Sequence, residues 1–133
     1  MIPRFAIFLA LLTTGLRGQV DLKSGAVIYF GSESNTTAPA EIDEAKVLEA
    51  TPEWQTIKTE GVRKGSARYR ILMGEASKRI RMAVREVATS SGKDLVVRSG
   101  DVADARGKNV TDITAEVVER LSQNPLDPLV SVR

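Results

Sequence analysis

Neither cysteine nor histidine occurs in this sequence of 133 residues. Their absence removes imidazole acid–base catalysis, zinc sites built on imidazole or thiolate, thiol nucleophiles and disulfide frameworks. Aromatic residues are scarce as well, 5% of the chain with a single tryptophan. The core must therefore be built from Val, Ile, Leu and Ala, which limits the area a compact monomer can hide. Association with further copies is expected on that ground. No apolar run reaches the ~20 residues that span a bilayer. What remains, 42% hydrophobic and 27% charged side chains, is the make-up of an ordinary globular chain with room for one domain.

The N-terminus has the order of a targeting segment. Met1 to Arg4 carry one positive charge, Phe5 to Leu12 (FAIFLALL) are apolar, and Thr13 to Gln19 turn small and polar. That is the sequence of regions in a secretory signal peptide. Residues 1–18 are therefore expected to direct export, with Gly15, Gly18 and Ala26 as alternative cleavage points. Removing them takes away Arg4 and Arg17 and no acid, so the net charge of +2 falls to zero.

Charge is nevertheless unevenly placed. Residues 33–60 hold Glu33, Glu41, Asp43, Glu44, Glu49, Glu53 and Glu60 against Lys46 and Lys58. Residues 63–85 invert this, with Arg63, Lys64, Arg68, Arg70, Lys78, Arg79, Arg81 and Arg85 against Glu75 alone. Such a run is either a solvated helix face or a surface for acidic partners.

Hydrophobic spacing gives a coarse map. Ala26 to Phe30 (AVIYF), between Gly25 and Gly31, reads as a strand. Gly31 to Ala40 is a Ser/Thr/Pro-rich loop with no element of its own, and Ala40-Glu41-Ile42-Asp43 after Pro39 is a poor strand, so the loop reads as an insertion after the first strand. From Ile42 to about Arg63 the pattern is helical, broken near Ala50, with Thr51-Pro52 as cap and first turn of a second helix. Lys64-Gly65-Ser66 is the turn. Beyond it Tyr69, Met73, Ala76, Ile80, Ala83 and Val87 recur at heptad spacing. This seam is either one face of a helix lying on its own domain or a two-helix contact, the second favoured by the Arg and Lys that crowd its flanks. Ser90-Ser91-Gly92 stops the helix. Asp94 to Arg98 is a short strand, Val102-Ala103 a weaker one, and Ala105 to Asn109 a turn to a further edge segment. Asp112 or Thr114 caps a last helix whose Ile113, Val117, Val118 and Leu121 share a face. Asn124-Pro125 ends it, and a tail follows.

Catalytic constellations are thin. Asp101 with Asp104, or Asp112 with Glu116, are the candidate acid/base pairs, but acids on turns and helix starts serve as caps and solvated charges. Gly100 and Gly107-Lys108 do not have the spacing of a phosphate loop. The basic run lacks aromatic interleaving beyond Tyr69 and any nucleic-acid motif. The sequence is thus read as non-enzymatic, without cofactor or metal, and not a nucleic-acid binder. The sequons at Asn35 and Asn109 are given no function.

The stretch Ile80 to Leu121, IRMAVREVATSSGKDLVV followed after a variable turn by DITAEVVERL, resembles the C-terminal half of the OmpH/Skp family of periplasmic chaperones. IDEAKVLEATPEW, Ile42 to Trp54, is similar to that family's N-terminal strand and helix. The resemblance implies an α+β fold: a small β-sheet body, a projecting coiled-coil-like helical hairpin, a C-terminal amphipathic helix and a homotrimer. On this basis residues 19–133 form one domain, with 52–88 as the arm and 94–121 as the sheet-and-helix body. It further implies a periplasmic, ATP-independent holdase for unfolded outer-membrane or envelope proteins, with an anionic membrane surface as a further partner. Charge and position then nominate Arg63, Lys64, Arg68, Tyr69, Arg70 and Met73 as client contacts. A hairpin folded from residues 52–88 reaches roughly 25 to 35 Å, shorter than the family's arms. The alternative function is a structural or adaptor protein of the envelope that keeps the oligomeric body and no longer holds clients.

Overall fold

The computed structural model describes residues 19–34 and 36–123. The expected signal segment, the tail after Gln123 and Asn35 of the first sequon lie outside the described residues. Ten elements follow one another: β1 (Asp21–Leu22), β2 (Ile28–Gly31), β3 (Pro39–Ile42), α1 (Glu44–Glu49), α2 (Pro52–Glu60), α3 (Ala67–Ser90), β4 (Leu95–Arg98), β5 (Val102–Asp104), β6 (Thr111–Asp112) and α4 (Thr114–Gln123). The class is mixed α+β, with small sheets and four helices among the described residues. β2, β4, β3 and β6 form one sheet in that order, β4 antiparallel to β2 and parallel to β3, while β1 and β5 pair as a separate antiparallel ribbon.

The alternation of β4 explains why Leu95, Val96 and Val97 are all fully buried. Val96 points into the large core, beside Ala40, Ile42, Val47, Ile80, Val84, Ile113, Val117 and Leu121. Leu95 and Val97 point to the opposite face, where Val20, Leu22, Ile28 and Val102 cover them. A strand buried on both faces has no need of a polar alternate residue.

β3 corrects the expectation for residues 40–43 and for the loop before them. Pro39 and Ala40 belong to the strand, and Ala40 and Ile42 are completely buried. β4 on one side and β6 on the other impose the extended backbone that the Pro-Ala-Glu sequence does not favour. Proline at the first position, where a missing N–H is tolerated, does not interrupt the ladder. The loop is also less open than its composition suggests. Thr36 is buried and its hydroxyl donates to the carbonyls of Ser32 and Glu33, both at 2.9 Å. Asp94 then anchors the loop end, accepting from Thr37 N (2.7 Å), Thr37 Oγ1 (2.8 Å) and Ala38 N (3.0 Å). Gly31 has φ +77°, and a Cβ there would stand 2.0 Å from the Asp94 carbonyl oxygen, so only glycine fits this close approach.

The helices start where cap chemistry places them. Asp43, Thr51 and Ser66 accept from Lys46 N, Trp54 N and Tyr69 N, each satisfying one amide of a first turn. Asp112 accepts from Thr114 N at 2.9 Å, and the Thr114 hydroxyl accepts from Asp43 N at 2.8 Å, which ties the starts of α1 and α4 together. α2 ends at Glu60, earlier than expected, because Gly61 turns left-handed (φ 60°) and Val62 N bonds Ile57 O. α3 stops at the expected place: Lys93 N reaches back to Ala88 O at 2.8 Å with Gly92 at φ 69°.

The heptad seam is covered inside the chain from Ala76 onward, whereas Tyr69 and Met73 are half-buried. Ala76, Ile80, Ala83 and Val87 are buried, and Val84 and Ala88 beside them are buried too. That face is wider than a two-position seam, as suits a helix lying on its own core. The stretch 52–88 is correspondingly divided. From Ile80 to Ala88, α3 belongs to the large core. From Ala67 to about Arg79 it lies against α2, a length of about 20 Å at 1.5 Å per residue.

Candidate functional site

Two ion pairs set the register of α2 on α3 and show that the two run antiparallel. Glu60 meets Arg68 at 2.8 Å near the turn, with both side chains half-exposed. At the other end Glu53 and Arg79 are 6% and 7% exposed. Arg79 Nε donates to both carboxylate oxygens at 3.0 and 3.1 Å, and Nη2 donates to Oε1 at 2.8 Å. A two-pronged contact of this kind compensates part of the cost of taking both charges out of water. The acidic block before residue 60 and the basic block after 63 are thus partly complementary faces of one helix pair.

At the turn end, Arg63, Lys64 and Arg70 are exposed, Arg68 is exposed and paired with Glu60, and Tyr69 and Met73 are half-buried. Ser66 and Gly65 position them by starting α3 at Ala67. Sequence reading missed the most exposed large apolar side chain here, Ile71, at 62%. Met82 is a second, at 47%, eleven residues along the helix and so close to the same outward face. Both fall off the seam, and no local pattern marks an exposed apolar residue in advance. Trp54 is half-buried.

Met73 faces a different feature, a cleft of about 270 Å³ between α1, α3 and β2. Val27, Leu48, Met73 and Ile80 give it apolar walls, and Tyr29, Glu44, Ser77 and Arg81 give it polar ones. The Tyr29 hydroxyl donates to Glu44 Oε2. Arg81 lies over the Tyr29 ring, 5.3 Å from its centre, and donates to the Ile28 carbonyl at 3.2 Å. Burial and the bond to the Glu44 carboxylate push the Tyr29 phenol well above its ordinary value, so it remains a neutral donor. This cleft joins residues far apart in the sequence, and no motif announced it.

Of the acids considered as catalytic pairs, Asp101, Asp104 and Asp112 have structural partners, and Glu116 is exposed. Asp101 is buried, accepts from Val27 N at 2.8 Å and pairs with Arg98 at 3.1 Å; the Val27 amide, then Arg98, hold its carboxyl below the usual range despite burial. Asp104 accepts from Arg106 N at 2.8 Å. Asp112 is held low by its hydroxyl and amide bonds from Thr114. Among the described residues no group of three or more carboxylates could hold a metal ion, and no helix is long and apolar enough to cross a membrane.

Set against models of known protein families, curated proteins and solved structures, the chain matches none of them.

Proposed function

We propose that this chain is an exported, ATP-independent holdase that binds unfolded outer-membrane or other envelope proteins in the periplasm, as its resemblance to the OmpH/Skp family implies. The observation that carries the proposal is the turn end of the α2–α3 pair. There Arg63, Lys64, Arg70 and Ile71 are exposed together, beyond the stretch of α3 that the core uses. Cations attract acidic segments over several ångströms, and exposed apolar side chains add weak, non-directional contact. Many weak contacts suit a surface that must accept many sequences and release them.

In this proposal three copies associate through their sheet bodies, and each α2–α3 pair serves as a short projecting arm. An arm of about 20 Å grips part of a client instead of enclosing a whole barrel. The same cations suit an anionic membrane surface. The test is to dilute an unfolded outer-membrane barrel into the protein and follow aggregation at two salt concentrations. Retention should fall with salt and be lost on replacing Arg63, Lys64, Arg68 and Arg70 by Ser, with assembly unchanged. Retention that survives all four substitutions refutes the electrostatic grip. A second reading, an envelope adaptor, is favoured by the half-burial of Trp54, Tyr69 and Met73, which reduces the apolar area on offer to a client.

A further inference from the structure

The cleft between α1, α3 and β2 has the features of a binding site that the fold itself does not use. Its volume, about 270 Å³, lies below the 300–1,000 Å³ typical of cofactor-sized pockets. It has room for one large side chain. Its apolar walls, Val27, Leu48, Met73 and Ile80, call for an apolar group.

Its charge narrows the choice. Arg81 has five N–H donors, of which one is directed at the Ile28 carbonyl. No carboxylate among the described residues forms an ion pair with it. Glu44, the acid in the same cleft, is engaged by the Tyr29 hydroxyl, while Arg81 lies over the face of the Tyr29 ring. A guanidinium held against an aromatic face, with one N–H on a carbonyl and no carboxylate on its other donors, can take a carboxylate in two-pronged fashion.

We infer that this cleft binds the C-terminal residue of a polypeptide, a large apolar side chain filling the pocket and the α-carboxylate seated on Arg81. The size of the site selects a terminal residue over an internal acid. In an extended chain neighbouring side chains point to opposite faces, whereas a terminal residue carries its carboxylate and its side chain on one Cα. Polypeptide is preferred to a small acid because β2, which supplies Val27's neighbour Ile28 and Tyr29, is the end strand of its sheet. The residues before the terminus can therefore run beside the outer edge of that strand, past the Ile28 carbonyl that Arg81 takes. The inference does not depend on the holdase proposal.

The test uses the purified protein and the peptide Gly-Ser-Gly-Ser-Phe with a free C-terminus, the same peptide as its amide, and N-acetylphenylalanine. Affinities are read by titration calorimetry and the location by amide chemical shifts. The free-acid peptide should bind at least tenfold more tightly than the amide and shift Tyr29, Ser77 and Arg81. Arg81→Met should remove the difference between acid and amide, and Ser77→Phe, at an exposed position, should block both. Equal binding of acid and amide, or shifts confined to another surface, overturns the inference. So does N-acetylphenylalanine binding as tightly as the peptide, which would make the cleft a small-acid site. The comparison of acid with amide on the unaltered protein decides the matter even if a variant fails to fold.

Discussion

Replacing Arg79 by Met probes the joint between α2 and the core. The methionine keeps the apolar stem and removes the guanidinium, so the Glu53 carboxylate, 6% exposed, loses the donors that hold it. Breaking a buried pair in this way costs about 3–5 kcal/mol. At about 4–8 °C per kcal/mol for a domain near 100 residues, the melting midpoint should fall by at least about 12 °C. The double variant Glu53→Leu, Arg79→Met removes the stranded charge as well. It should recover most of the loss, because two apolar residues of similar size replace a desolvated pair at little net cost. Urea unfolding of the three proteins at one fixed protomer concentration measures all the differences, a precaution needed because any association would add to apparent stability. A loss below about 1 kcal/mol in the single variant would mean that water reaches this pair, and that α2 is held on α3 by other contacts.

Further outcomes follow from the same geometry. Gly31→Ala places a methyl 2.0 Å from the Asp94 carbonyl at a left-handed φ and should cost about 2 kcal/mol or more in urea unfolding. Asp94, Asp101 and Asp112 have folded-state values below the ordinary one: in Asp94 burial pulls upward and the Thr37 and Ala38 bonds outweigh it. Their contribution is complete above about pH 4, the unfolded value, and is lost as pH falls through the lower folded values. A urea midpoint that falls below pH 4, less steeply in Asp94→Asn, is the expected profile; a flat one contradicts it. Ile71→Ser should change stability by less than about 0.5 kcal/mol yet reduce client capture in the aggregation assay.

Local signals were legible and non-local ones were not. Thr51-Pro52 and Ser90-Ser91-Gly92 mark a helix start and a helix stop because cap chemistry involves only neighbouring residues. The Leu95 to Val97 run read as a strand because both of its faces are apolar. β3 was misjudged because its strand character comes from β4 and β6, not from Pro39, Ala40 and Glu41. The second helix was carried past Gly61 because half-buried Val62 continues the apolar spacing. Of the nominated client residues, Arg63, Lys64 and Arg70 stand in solvent, whereas Arg68 has Glu60 as a partner. The Glu53–Arg79 pair was present only as two blocks of opposite charge, whose pairing requires knowing that α2 turns back on α3. The cleft gathers residues from Val27 to Arg81, a separation across which spacing carries no information.

The most direct test is the light-scattering mass of the chain lacking residues 1–18. It is measured alone and after an unfolded outer-membrane barrel is diluted into it at near-physiological salt. The account predicts a trimer that gains the mass of a client and keeps it soluble. A monomer, or a trimer beside which the client aggregates, would contradict it.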